Sequence, residues 1–175
     1  ITIQTLIFRC FTCIKWHPFK NILAVGTQLS GDKVRIFNFE TETIKELEGI
    51  SPDGARGIDW NYTGEFLAVA DNDGQISIFD IDGNFIRTIK HENKKSITAI
   101  DWHPEKNIFI TVGDKIRIFG VDGTLLKTII HRQVEVLLLC VAWNNSGDFF
   151  VTGDYGDYQN DHKPLLQFWN PNGNL

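Results

Sequence analysis

Between Ile97 and Ile129, apolar and polar positions alternate in short runs instead of recurring at helical spacing. The run Ile97–Trp102 sets Ile97, Ala99 and Asp101 on one side and Thr98, Ile100 and Trp102 on the other. The turn His103-Pro104-Glu105-Lys106-Asn107 follows, then Ile108–Val112, Gly113-Asp114, Lys115–Phe119, Val121-Asp122-Gly123 and Leu125–Ile129. Each run is β-branched or aromatic and is bounded by Gly, Asp, Asn or Pro. The pattern predicts four short strands joined by tight turns into one antiparallel sheet, which alone would leave its apolar faces wet.

The chain repeats the unit. Trp16, Trp60, Trp102 and Trp143 each end a run, at intervals of 44, 42 and 41 residues. The turns that follow are HPFKN, NYTGE, HPEKN and NNSGD; the next strands are ILAVG, FLAVA, IFITV and FFVTG. The third strands read VRIFN, ISIFD, IRIFG and LQFWN, and the closing segments FETET, IDGNF, VDGTL and PNGNL. A period just above 40 with four strands per unit predicts propeller blades. On these residues the chain resembles the WD40-repeat β-propeller family over nearly all of its 175 residues. The expected fold is all-β: a β-propeller of four-stranded antiparallel blades, about four WD40-like repeats, forming part of a larger ring. The blades are expected at approximately 9–49, 50–90, 91–130 and 131–175, with 1–8 a candidate closing strand.

The resemblance also implies site residues. In the family a His before the first strand and an Asp in a later turn join a buried polar network, and a Trp-Asp pair ends the third strand. Here His91 would pair with Asp114 and His131 with Asp161, while Asp32 and Asp73 fill the same turn in the earlier units. The strand-end aromatics are Phe37, Phe79, Phe119 and Trp169, so three units keep an apolar plug but lack the indole donor. The Asp of the pair survives only as Asp80; the others are Asn38, Gly120 and Asn170. His17 and His103 read as turn residues.

Composition narrows the function. Seventeen basic against 22 acidic residues give a net charge of −5, which argues against a nucleic-acid partner. No apolar run reaches the roughly 20 residues a membrane helix needs, so no membrane insertion is expected. Three Cys residues do not suggest a disulfide framework, and an intracellular, cytoplasmic setting is expected. The CxxC at Cys10–Cys13 lacks a second pair for zinc. Methionine is absent, so the chain reads as a fragment or processed form. No G-x-S-x-G, H-E-x-x-H, P-loop or G-x-G-x-x-G occurs, and neither catalytic residue, metal nor cofactor is expected.

The resemblance implies a non-catalytic scaffold that binds protein or peptide on its loop face; the alternative is a propeller enzyme or small-ligand binder using the central channel. Candidate contacts are Gln28, Asn72, Lys94, Lys95, Arg132, Tyr155, Tyr158 and His162, the last three in a long insertion between the second and third strands of the fourth unit. Further blades in the same chain, or a second copy, would close the ring.

Overall fold

The computed structural model describes residues 11–27, 33–52, 54–90, 95–131, 136–157, 161 and 163–174. Four antiparallel sheets follow one another. The first holds β1 (Phe11–Trp16), β2 (Ile22–Thr27), β3 (Arg35–Asn38) and β4 (Thr43–Glu46). The second holds β5 (Ala55–Trp60), β6 (Phe66–Asp71), β7 (Gln75–Asp80) and β8 (Phe85–Lys90). The third holds β9 (Ala99–Trp102), β10 (Ile108–Val112), β11 (Ile116–Gly120) and β12 (Leu125–Ile129). The fourth holds β13 (Leu138–Trp143), β14 (Phe150–Asp154) and β15 (Leu166–Trp169). Every sheet is a simple meander in chain order.

Side chains on successive strand residues point to opposite faces, and both faces of the middle strands are used. Leu67 and Val69 of β6 join Ile22, Ile36 and Leu47 of the first sheet, whereas Ala68 and Ala70 join Ile100, Trp102 and Phe109 of the third. Likewise Phe109 of β10 faces the second sheet and Ile110 faces Leu138, Trp143 and Phe150 of the fourth. The sheets therefore stack as blades, each core layer shared by two neighbours. A one-residue slip in β6 or β10 would exchange both layers at once. The inner strands β1, β5, β9 and β13 touch in sequence, and among the described residues the fourth blade does not touch the first.

Two details differ from the sequence pattern. The inner strand of the third blade begins at Ala99 instead of Ile97; just before it, the Thr98 hydroxyl donates to the Leu138 carbonyl at 2.6 Å and ties that segment to the fourth blade. The fourth sheet has three strands among the described residues. The candidate closing strand at 1–8 lies outside them.

Candidate interaction site

The inner strands end in a column of matched positions: Lys15-Trp16-His17, Asp59-Trp60-Asn61, Asp101-Trp102-His103 and Ala142-Trp143-Asn144. Asp59 Oδ2 accepts the Trp102 backbone N–H at 2.8 Å, and Asp101 Oδ2 accepts that of Trp143 at 2.7 Å. Each carboxylate thus stitches its blade to the next. Their other oxygens face Lys15, whose Nζ stands 3.2 Å from Asp59 and 3.9 Å from Asp101. Burial pushes both carboxyls up; for Asp101 the neighbouring Asp59 adds to this and the pKa reaches about 7. Burial opposes the Lys15 ammonium, but the two carboxylates outweigh it and hold Lys15 above the usual lysine range.

The residue after each Trp forms a second kind of joint. His17 is buried; its Nδ1 accepts the N–H groups of Phe19 and Lys20, each at 3.0 Å. That fixes the proton on Nε2, which donates to the Gly64 carbonyl of the next blade at 3.0 Å. A Cβ on Gly64 would stand 2.2 Å from this nitrogen, and Gly64 has a φ of +75°, so only glycine seats the ring. His103 sits in the same way over Gly147, where a Cβ would stand 2.3 Å from the ring, and its Nδ1 accepts the Glu105 N–H at 3.0 Å. The two rings also meet the next blade's tryptophan, with centroids 5.1 Å apart for His17–Trp60 and 4.7 Å for His103–Trp143. At the joint between the second and third blades Asn61 stands at the position of His17 and His103. There Asn61 donates to Asn107 at 2.9 Å and the Trp102 indole N–H donates to the Asp59 carbonyl at 3.0 Å. His17 and His103 are therefore blade-to-blade joints as well as turn residues.

The opposite face carries the loop candidates. The carboxylate that shapes the turn of the second blade is Asp71, not Asp73: its oxygens accept the N–H groups of Ser51, Asp73 and Gln75. Burial raises its pKa and these donors oppose the rise. Asp73 accepts the Ser51 hydroxyl at 2.7 Å. Asn72 Oδ1 accepts from Arg56 Nε and, at 3.2 Å, from the Ser96 hydroxyl, linking the second blade to the segment entering the third. In the fourth blade Asp154 takes the role of Asp71, accepting the N–H groups of Gly156 and Leu165 across the base of the insertion. Asp161 is exposed, with a φ of 56°, and His131 is buried. Asp114 holds Arg117 at 2.7 Å with Lys95 at 3.9 Å; burial works against its charge, but Arg117 wins and keeps the carboxyl below the usual range. Lys95 and Tyr155 are exposed on this face. His91, Asp32, Gln28, Lys94, Arg132, Tyr158 and His162 lie outside the described residues, as does Cys10. Cys13 is part-buried, and burial pushes its thiol up to about 11.

Residues 51–105 match the family profile of the Anaphase-promoting complex subunit 4 WD40 domain. The crystal structure of the β-propeller domain of Myceliophteria thermophila Cps50 (Swd1) superposes with a TM-score of 0.76 at 17% identity, over 97% of this chain and 55% of that one. The fold is that of the β-propellers. The chain spans about half the length of the propeller chain it matches. The strand-end aromatics Phe37, Phe79, Phe119 and Trp169 are all buried. Trp169 keeps the polar contact available to an indole, donating to the Thr152 hydroxyl at 2.9 Å. The phenylalanine blades do without it and draw their polar cross-links from Asp59, Asp101 and the paired turns. The axial carboxylates could have been suspected from one signal: an acid directly before the Trp in two consecutive repeats, on a face where apolar residues would be expected.

Proposed function

We propose that this chain is a non-catalytic interaction scaffold that docks protein or peptide on its loop face. The observation that carries the reading is the cross-linking of that face. Asn72 joins Arg56 to Ser96, and Ser51 joins both Asp71 and Asp73, so the loops of the second blade and the segment entering the third form one pre-ordered platform. A platform ordered before binding loses less entropy when a partner docks. Exposed Lys95 and Tyr155 supply a charge and an aromatic contact on it. The backbone duties of Asp59 and Asp101 favour a scaffold over an enzyme working in the channel. Free thiols at Cys13 and Cys140 support an intracellular setting.

Further blades, in the same chain or from a second copy, are part of this proposal. Trp16 is 57% exposed and Ile14 60%, whereas Trp60 and Trp102, covered by a preceding blade, are each 5% exposed. The test is selection of peptides from a displayed library on the immobilised chain, followed by Lys95→Glu and Tyr155→Ala. Selected peptides should weaken about tenfold on these variants, on the order of 1.4 kcal/mol. Peptides that bind both variants as well as the parent chain would sink the loop-face assignment.

A further inference from the structure

The first and third blades carry the same third-strand motif, Lys33-Val-Arg35-Ile-Phe37 and Lys115-Ile-Arg117-Ile-Phe119. In the first blade the neighbouring outer strand answers these cations with acids. Arg35 is paired in register with Glu46 and bonds it at 2.6 Å, and Lys33 reaches Glu48 at 2.5 Å and Glu46 at 3.4 Å. In the third blade the register partner of Arg117 is Thr128, and Ile130 stands where Glu48 would be. Arg117 turns back to Asp114 on its own strand's entry turn. Lys115 makes no ion pair among the described residues, and neither does Lys90 on β8 across the gap.

These side chains line an open cleft of about 380 Å³ at the rim between the second and third blades, within the size range of ligand clefts. Thr88 and Lys90 form one wall, Lys115, Arg117 and Phe119 the other, with Thr128 at the outer lip. The lower end is closed by Arg87 donating to the Asp122 carbonyl. Asp122 is the one acid of the lining, and its carboxylate is taken by the Thr124 N–H and hydroxyl. The matching gap between the first and second blades is narrowed instead: Gln75 and Ser77, at the positions of Lys115 and Arg117, both donate to the Gly49 carbonyl, and Lys45 bonds Asn84.

The geometry points to this rim cleft as a docking groove for an acidic peptide segment, whose carboxylates take the place beside Lys115 that Glu46 and Glu48 fill beside Lys33 in the first blade, with Lys90 facing them across the gap. The exposed edge of β8 and the ring of Phe119 give such an extended segment a backbone partner and an apolar floor. The groove is separate from the loop face and does not rest on the scaffold reading.

The test uses the whole chain and a short fluorescein-labelled peptide alternating glutamate and leucine, followed by anisotropy at low salt. Thr128→Glu places an internal acid beside Arg117, as Glu46 lies beside Arg35, without removing any packed group. It should weaken the peptide about tenfold, as should Lys90→Glu with Lys115→Glu, since each exposed pair contributes up to about 1 kcal/mol. Lys106→Glu, a larger charge change than Thr128→Glu but on the turn face, should leave the affinity within about twofold. No binding by the parent chain, no loss on Thr128→Glu, or an equal loss on Lys106→Glu would each overturn the assignment.

Discussion

The joint between the first and second blades and the joint between the second and third bury equivalent tryptophans by different chemistry. At the first, Lys15 precedes Trp16 and offers no acceptor to the next blade; its ammonium instead pairs with Asp59 at 3.2 Å, and the backbone clamp is His17 seated over Gly64. At the second, Asn61 replaces the His, and Asp59 holds Trp102 by its backbone N–H and, through its own carbonyl, by the indole. The third joint, between the third and fourth blades, uses both devices, His103 over Gly147 and Asp101 on Trp143. Trp60 and Trp102 are equally buried at 5% exposure. The apolar layer therefore accepts either polar clamp.

The largest test of this contrast is at the glycines. Gly64→Ala and Gly147→Ala should each cost about 2–4 kcal/mol in urea unfolding, from left-handed strain plus the collision with His17 or His103. Lys106→Ala, at the matching position of the third blade's turn, should stay within about 0.5 kcal/mol. Adding His17→Ala to Gly64→Ala should recover part of the loss, since only the collision is relieved. Costs equal at all three positions would show that the joints do not differ as described.

Next in size are the carboxylates. Asp59→Ala leaves the buried Trp102 N–H without an acceptor at a joint that has no His, and should cost about 2 kcal/mol. Asp101→Ala strips a joint that keeps His103 and should cost about 1 kcal/mol. The reverse order would mean that His103 adds nothing at the third joint.

The smallest effect is in pH, and its sign separates the two clamps. The Asp101 carboxyl is raised to about 7 in the fold, so between about pH 4 and 7 the folded chain holds a proton that the unfolded chain has lost, and stability falls as pH rises. Asp101→Asn should flatten this slope and leave the chain about 1 kcal/mol more stable than the parent at pH 8. His17 runs the other way. Burial lowers its pKa despite the Gly64 carbonyl, so its contribution is present above about pH 6.5 and is lost as the pH drops below that value. His17→Asn should remove that acid-side loss. Thermal melts of the two variants from pH 4 to 8 that keep the parent's slopes would remove both assignments.

Much of the architecture was legible because strand alternation and turn residues act locally. The repeat of Trp16, Trp60, Trp102 and Trp143 placed the inner strands, and the runs around Phe37, Phe79, Phe119 and Trp169 placed the third strands. Less of the site could be read. Asp73 stood in the turn position, but Asp71 gathers the N–H groups, because a strand's last residue reaches back over a turn that the next residues only pass through. In the fourth blade Asp154 does the same at the base of the insertion. His17 and His103 are ordinary His-Pro turns until the neighbouring blade sets a glycine beneath each ring.

Short-range rules thus determined, from sequence alone, that the chain folds into antiparallel blades of about forty residues and which aromatics they bury. Only the tertiary structure decided which polar groups meet across the joints. Asp59 and Trp102, or His17 and Gly64, lie more than forty residues apart. Their pairing depends on the angle at which one blade stacks on the next, a quantity set by the volume of the shared core layer and not by the residues adjoining either partner.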